Sequence, residues 1–580
     1  MIKKYIMMGV KSVIGIIPES IRVKMKRWPW LTSFYSRNLQ KSGLSYGIPS
    51  KKKMAKLYSR LILVQEEELR GTQSVDPFNV AVIVNQKADL LDFTLRQLSK
   101  IEAIETVFLI VDEIDEYGTY TANNDQGYEL IVKSAVDFST NQDCEINNLL
   151  IINAGDSLHP YVQGALTKFI KSNHMIGYFD SDLIDLSGQR KSPKLHRDWD
   201  PDLLLSSGYI NTGMWLRTNR VLSDKSCLST KNTSIADFLV DAYLSDNRID
   251  IGHIPLVVVH SLNKSENSKL PLSREVIDKI SVYADVTEHP KFPVLKLLWR
   301  TEKQPLVSLI IPTKNAKELV KACIESILNK TVYNHYEILL VDNQSDDKES
   351  LEYFNELAKH PKIKVLKYDK KFNYSAINNF AVGHASGEII GLINNDVEVI
   401  EPNWLSYMVG QVTRLEVGCV GAKLLYSDGR IQHAGVVMGY GGGAGHAHKY
   451  FPRDHSGYLN RLAATNSFSA VTAACLLVKK ADYEAVGGLD EENLEVAFND
   501  VDFCLKILGL NRRNVYCSEA ELFHHESISR GFDDTQEKML RFNSELAYLQ
   551  NKWPEFIQND PAYNPYLTLR RENFSIKEFG

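Results

Sequence analysis

The chain lacks most of what would mark a secreted, membrane-spanning or nucleic-acid-binding protein. Its 580 residues hold seven cysteines, at 144, 227, 323, 419, 475, 504 and 517, with no C-x-x-C pair among them. That spacing excludes a zinc site of the usual kind, and the odd count in apolar surroundings argues against a disulfide framework and for a reducing cytoplasm. No apolar run reaches the roughly 20 residues needed to cross a bilayer. The net charge of −5 offers no electrostatic footprint for nucleic acid. Low-complexity sequence is missing apart from the glycine-rich stretch Gly439 to Gly445. Tyr5 to Ile17 is apolar but broken by Gly9, Lys11 and Gly15, and no small-residue cleavage site follows, so a signal peptide is not expected.

Acids are missing from one region in particular. Between residues 1 and 56 the sole carboxylate is Glu19, while Arg22, Lys24, Lys26 and Arg27 run into Trp28, Pro29 and Trp30. Basic residues beside tryptophan suit either an interfacial segment on an anionic membrane leaflet or a solvated basic arm.

What is present is a pattern written twice. Val80 to Val84 and Val307 to Ile311 are β-branched runs, each followed by a helical pattern, at Leu90 to Leu98 and Leu319 to Leu328. Val107 to Asp112 and Ile338 to Asp342 follow as buried-looking strands ending in aspartate. Leu149 to Asn153 then parallels Ile389 to Asn394, and each reaches a proline, Pro160 or Pro402, before another helix. Strands alternating with helices predict α/β domains with parallel sheets. A polar, proline-marked boundary at Glu302-Lys303-Gln304-Pro305 separates them. The organisation expected is a basic amphipathic N-terminal region over 1–76, a first domain over 77–300 and a second over 301–580.

In such sheets ligands bind beyond the carboxyl ends of the strands. Pro312-Thr313-Lys314-Asn315 leaves the first strand of the second domain, a turn that suits either a nucleotide contact or a helix cap. Asp342 ends the next strand. Asn394-Asn395-Asp396 ends an otherwise apolar one, where a carboxylate suits Mg²⁺ or Mn²⁺ held jointly with phosphate oxygens. Far downstream, Asp500 and Asp502 open an amphipathic segment. A carboxylate there serves proton transfer, or simply favours the macrodipole of a helix start. His433, Trp404 and the glycine-rich stretch with His446 and His448 are candidates for acceptor contact or for structural roles.

The order of these pieces resembles the family 2 glycosyltransferases of the GT-A fold, over about residues 305–575. The matching stretches are Ile310-Ile311-Pro312-Thr313-Lys314-Asn315, Leu340-Val341-Asp342-Asn343 and Phe372 to Asn379. They continue with Asn394-Asn395-Asp396, Gly421 to Tyr426, Asp428 to Gly435, Gly487-Gly488-Leu489-Asp490, the Asp500/Asp502 pair and Phe523-His524-His525-Glu526-Ser527. The likeness is to the bacterial subgroup that builds surface polysaccharides of O-antigen and rhamnan type. It implies two tandem GT-A-like domains and an inverting, metal-dependent transferase using a nucleotide-diphosphate sugar donor. The acceptor implied is a hydroxyl of a growing cell-surface or lipid-linked glycan, at the cytoplasmic face of the membrane.

By the same resemblance, Pro312, Thr313, Asn315, Asp342, Asn394 and Asn395 line the donor site. Asp396 binds a divalent metal (Mn²⁺ or Mg²⁺), with His524, or His525 in its place, completing the shell. Asp500 is the catalytic base and Asp502 its supporting acid. Asn394 departs from the family's Asp-x-Asp motif, and Arg530-Gly531 corresponds to a donor lid.

The first domain is expected to be a degenerate copy. Phe179 to Asp185 and Asp198 to Leu205 resemble the middle of a family 2 domain. Val84-Asn85-Gln86-Lys87 replaces the donor turn, and Asn153-Ala154-Gly155 stands where the metal acid belongs, with Asp156 one residue late. Asp237 and His260 lie roughly where a base and a metal histidine would fall. The alternatives are a bifunctional transferase with both domains active, or a noncatalytic glycan- or nucleotide-binding scaffold.

Overall fold

Two sheets of one design follow each other along the chain. A computed structural model describes residues 49–71, 77–84, 88–111, 127–134, 148–172, 174–217, 234–262, 270–525 and 535–579, with positions 10, 114, 117 and 138. The expectations for residues before 49, for Asn85-Gln86-Lys87, for Asp112, and for Glu526-Ser527 and Arg530-Gly531 lie outside the described residues.

The first sheet begins with β1 (Phe78–Ile83), β2 (Ile104–Val111), β3 (Glu129–Ser134), β4 (Leu149–Asn153) and β5 (Asp156–Leu158). It continues with β6 (Ile176–Ile184), β7 (Arg190–Lys194), β8 (Met214–Leu216) and β9 (Ile251–Leu262). A hairpin, β10 (Ala284–Glu288) and β11 (Leu295–Trp299), then leads to the second sheet. That sheet holds β12 (Val307–Thr313), β13 (Tyr336–Asp342), β14 (Ile363–Lys367), β15 (Ile389–Ile393), β16 (Val397–Val399), β17 (Val417–Leu425) and β18 (Ile431–His433). Past a small hairpin of β19 (Val436–Met438) and β20 (Ala444–His446), it is completed by β21 (Asn466–Phe468), β22 (Cys475–Lys479) and β23 (Arg513–His524).

The strand orders are β3-β2-β1-β4-β8-β6-β9-β5 and β14-β13-β12-β15-β22-β17-β23-β16. Position by position the strands correspond, and so do their senses. β1 is parallel to β2 and β4, as β12 is to β13 and β15. β8 and β22 run antiparallel to both neighbours, while β5 and β16 close antiparallel on β9 and β23. The repeat in the sequence is therefore a repeat of the fold, and the expected tandem α/β architecture is present, with mixed sheets in place of the parallel ones expected.

The central strands read as unbroken apolar runs because helices cover both faces. Ile310, Leu339 and Val341 face one layer, with Phe503; Leu309, Ile311 and Leu340 face the other, with Trp404. The helices that matter below are α1 (Lys51–Arg70), α2 (Ala88–Leu98), α3 (Val162–Ser172), α4 (Pro201–Ser207), α5 (Ile235–Ser245) and α6 (Lys317–Lys330). In the second domain they continue with α7 (Tyr374–Val382), α8 (Trp404–Val412), α9 (Asn499–Leu508) and α10 (Gln536–Lys552). Trp404 opens α8 with no exposed surface, and its indole N–H donates to Thr331 Oγ1 at 3.0 Å. The acceptor-groove expectation for Trp404 is thus corrected: it is a core residue whose polar edge is satisfied inside.

The N-terminal region also divides differently from expectation. Leu57, Tyr58, Leu61, Gln65 and Leu69 are buried, and Gln65 exchanges hydrogen bonds with the Pro255 carbonyl and the Val257 amide. From Lys51 onward the segment is packed, with Leu57, Tyr58 and Leu61 in one cluster with Leu195 and Val257 of the first domain and Leu425 and Ile431 of the second.

The two domains share a polar, buried seam. Asp202 on α4 meets Arg414 at 2.5 Å and Arg513 at 3.1 Å. Burial alone would raise the Asp202 carboxyl, but the two guanidiniums override that and hold it below the usual carboxylate range. The Ser467 amide donates to Asp200 Oδ2 at 2.9 Å, and Asn564 near the C-terminus donates to Asp180 Oδ2 at 2.9 Å. The chain end that follows α10 thus crosses back onto the first domain, as a packed tail.

Candidate functional site

Three segments meet at the carboxyl ends of β12, β13 and β15. The first is the turn after β12. Asn315 and Ala316 both adopt left-handed backbone, with φ of 54° and 60°. Such φ values are costly for residues with a side chain, and they concentrate where a loop is over-determined by its surroundings. What fixes this turn is Asn315 itself. Its Oδ1 accepts from the amides of Asp346 and Asp347 at 3.0 Å each, and its amide donates to Ser345 Oγ at 2.7 Å. Asn315 therefore ties the β12 turn to the turn after β13. Asp342 accepts from the Ser345 amide at 3.0 Å, and Asn343 donates to the carbonyls of Tyr368 and Lys370. Thr313 is buried and Pro312 is half-buried beside it.

The second segment is the end of β15. Asn395 donates to Thr313 Oγ1 at 3.0 Å, linking it to the first turn. Because β16 pairs with β23 in the register Val397 to His524, Asp396 and His524 come side by side. Their Oδ1 and Nε2 atoms are 3.2 Å apart, and the Asn394 side-chain nitrogen is also 3.2 Å from Nε2. An imidazole nitrogen and a carboxylate oxygen side by side are a donor pair that a divalent ion can take. Among the described residues no group of three or more His, Cys, Asp or Glu gathers as a cage.

His525 does not join them. Its Nδ1 is 2.7 Å from Ser427 Oγ and its Nε2 is 3.4 Å from Glu398 Oε2, so both ring nitrogens are engaged elsewhere. Alternation along the strand sends neighbours to opposite faces, and of the two histidines it is His524 that reaches Asp396.

The third segment is the start of α9. Phe498, at its N-cap, has a left-handed φ of 59°, and the two acids that follow separate. Asp500 accepts at Oδ2 from the Thr472 hydroxyl and the Ala473 amide, both at 3.0 Å. Burial pushes its carboxyl above the usual range, against the pull of those donors. Asp502 turns the other way. It has no exposed surface, accepts from the Trp553 indole at 2.8 Å and pairs with Lys552 at 2.8 Å. Residues two apart on a helix do not share a face. The pair expectation is corrected accordingly: Asp502 anchors the chain after α10, and Asp500 alone faces the Thr472 segment.

Residues Thr472 to Ala474 connect the Asp500 side to the Asp396 side. The Tyr374 hydroxyl lies 3.3 Å from both the Ala473 carbonyl and Asn394 Oδ1, which share its one proton, and the Asn394 backbone amide donates to the Ala474 carbonyl at 3.0 Å. The sequence places Tyr374 inside the Phe372 to Asn379 stretch without giving it a role, and does not single out Thr472. His433 lies behind this segment with no exposed surface, which corrects its acceptor-loop expectation. Burial pushes its pKa down to about 4. His448 is also buried, accepting from the Tyr458 amide at 3.0 Å and stacking on Phe574.

The equivalent place in the first domain is filled by structural bonds. The turn between β4 and β5 is one residue shorter than the turn between β15 and β16, and Asp156 opens β5 where Asp396 immediately precedes β16. Asp156 falls on β5, where it accepts from the Asn153 amide at 2.9 Å and from Ser261 Oγ at 2.6 Å. Asp237 forms a capping box with Ser234 at the start of α5 and accepts from the Ser273 amide. His260 is 2.6 Å from Asp182, which also holds Arg190 and the Tyr58 hydroxyl.

Residues 308–483 match the model of the family described as Glycosyl transferase family 2. That span contains Thr313, Asp342, Asp396, His433 and Thr472 but ends before Asp500 and His524. The chain is 50% identical over 282 residues to the uncharacterized protein y4gI of Sinorhizobium fredii, a match covering 48% of this chain and 31% of that protein. It is 32% identical over 442 residues to the O-antigen biosynthesis protein RfbC of Myxococcus xanthus, covering 73% of this chain and 34% of that one. The chain thus spans about a third of the length of these two curated relatives. Among solved structures, a mannosyltransferase of Pyrobaculum calidifontis in complex with GDP-Man and Mn²⁺ aligns at 18% identity and a TM-score of 0.33, covering 46% of this chain and 68% of its own.

Proposed function

From a chain that carries a family 2 glycosyltransferase domain over residues 308–483, we propose an inverting transferase. It moves a sugar from a nucleotide-diphosphate donor to a hydroxyl of a growing cell-surface or lipid-linked glycan. The observation that carries this reading is Asp500, a half-buried carboxylate whose pKa desolvation raises, joined through Thr472 to Ala474 and Tyr374 to the Asn394–Asp396–His524 cluster. A hydroxyl is a weak nucleophile at neutral pH, and a carboxylate placed to take its proton as attack proceeds removes that barrier. A base whose pKa is raised by burial is better matched to the task than an exposed aspartate.

In this reading Pro312, Thr313, Asn315, Asp342 and Asn395 shape the donor side, Asn315 by fixing the turn rather than by its own side-chain contact. Asp396 and His524 would hold Mn²⁺ or Mg²⁺, which stabilises the charge on a departing diphosphate. Asn394 lies beside that pair, its side-chain nitrogen 3.2 Å from Nε2. One displacement at the anomeric carbon inverts it, and no protein nucleophile is needed. The first domain is a noncatalytic partner, since Asp156, Asp237 and His260 are each committed to structural bonds. No helix among the described residues is long and apolar enough to cross a membrane. The basic residues before 56 would hold the enzyme peripherally on the anionic inner leaflet, facing the cytoplasm.

The test is donor hydrolysis and transfer across UDP-, GDP- and dTDP-linked sugars. Asp500→Asn is expected to lose about 10²- to 10⁴-fold in turnover while still binding donor. Asp396→Ala is expected to lose metal-dependent donor binding, and Asp156→Asn to leave both unchanged. Full activity in Asp500→Asn and Asp396→Ala would remove the assignment. Loss in Asp156→Asn without loss of fold would move chemistry into the first domain.

A further inference from the structure

The loop that touches Asp500 is held from behind by a histidine whose proton is fixed by its partners. His433 Nδ1 is 2.8 Å from the carbonyl of Ala422, an atom that only accepts, so Nδ1 carries the proton. Nε2 is then a bare acceptor, and two amides point at it: Thr472 N–H at 3.2 Å and Gly435 N–H at 3.3 Å. Gly435 delivers its amide from a φ of +91°, where a Cβ would meet the Phe468 ring at 2.2 Å, so only glycine fits there. A protonated His433 would set an N–H against both amides. The burial that keeps the ring neutral is therefore what lets it serve as the anchor.

Thr472 passes this order on. Its Oγ1 accepts from the Ala474 amide at 3.4 Å, which leaves the hydroxyl proton for Asp500 Oδ2 at 3.0 Å. The Ala473 amide donates to the same oxygen at 3.0 Å. Two donors on one carboxylate oxygen favour its charged form and fix its direction. Other titratable groups packed around the segment are His446 on β20, its ring 5.3 Å from that of His433, together with His524 on β23, Cys419 on β17 and Cys504 on α9. Burial keeps His446 neutral and raises the Cys419 thiol. Thr472 is thus the hydroxyl donor that reaches the Asp500 carboxylate.

We propose that Thr472, seated by His433, is the positioning residue that keeps the Asp500 carboxylate aimed and ionised for proton abstraction. This rests on Asp500 being the base. Loss of the hydroxyl donor leaves Asp500 harder to ionise. The acid limb of the rate–pH profile then moves upward, and the number of enzyme molecules ready to react at a given pH falls. Donor affinity stays as it was, because neither Thr472 nor His433 touches the β12 turn or Asp396 in the hydrogen bonds of the site.

The experiment is the pH profile of donor hydrolysis by the full chain, using the UDP-, GDP- or dTDP-sugar that wild type turns over fastest. Wild type is compared with Thr472→Val, Thr472→Ser and His433→Gln, with thermal unfolding as the check on fold. Thr472→Val is expected to move the acid limb up by about one pH unit and to lower kcat at neutral pH several-fold, with KM for donor within about twofold. Thr472→Ser is expected to restore the profile, since it keeps the donor. His433→Gln keeps a side-chain acceptor and a donor, and is expected to fall between the two. An unmoved acid limb in Thr472→Val, or a Thr472→Ser profile as displaced as that of Thr472→Val, overturns the proposal. Full turnover by Asp500→Asn would instead show that the base itself is misassigned.

Discussion

At the residue scale, Asp500 carries opposing demands. Its folded-state carboxyl lies above the ordinary range because burial penalises the charge. The folded state therefore holds that proton more tightly than the unfolded chain. Its contribution to stability is greatest below the ordinary carboxylate pKa and is lost as pH rises through the folded value. At neutral pH the ionised group costs stability, as expected of a site kept for chemistry. Asp500→Asn retains an oxygen that accepts from Thr472 and Ala473 without the charge. Its Tm is expected to exceed that of wild type at pH 7 by about 1–2 °C, with the difference vanishing toward pH 4. A Tm below wild type at both pH values would contradict the burial of the charge.

At the scale of elements, α9 decides what a two-residue spacing means. A helix turns 100° per residue, so Asp500 and Asp502 point to nearly opposite sides and meet different partners. Asp502 joins Lys506, Lys552 and Trp553, and through them fastens the end of α10. Lys552 is partly exposed, so the pair is worth less than a fully buried one. Asp502→Ala is expected to cost about 2 kcal/mol in chemical denaturation, mostly from the indole and ammonium left unpaired. Donor KM is expected to stay unchanged, because no contact of Asp502 leads to Asp396. A KM shift with unaltered stability would return Asp502 to the site. The same scale explains His525: β23 sends it to the face opposite His524, toward Ser427 and Glu398.

At the scale of the whole molecule, the two domains have equal topology and unequal equipment. Asp202 joins them by taking two arginines in a buried seam. Removing one partner of such a cluster leaves uncompensated charge. Asp202→Ala is expected to split thermal unfolding into two calorimetric transitions, the first domain melting away from the second. A single transition shifted as a unit would mean that the apolar contacts alone couple them. Donor turnover at temperatures below both transitions is expected to persist, since the Asp500 and Asp396 segments lie wholly within the second domain.

The tandem α/β design was legible in the chain because apolar strand runs, helix periodicity and strand-end polar residues are local signals repeated in the same order. Asp342, Asp396 and Asp500 stood out for a like reason, each being a polar residue at the edge of an apolar element, whereas His524 entered through the family resemblance. Tertiary structure decided what those edges face. The β16–β23 register put His524, not His525, beside Asp396. Packing withdrew Trp404 and His433 into the core and turned Asp502 away from Asp500. It also brought Thr472 and Tyr374 between the two halves of the site from separate stretches of chain. Sequence records which residues are polar; which of them share a cavity depends on strand register and helix phase, and those are fixed only when the layers pack.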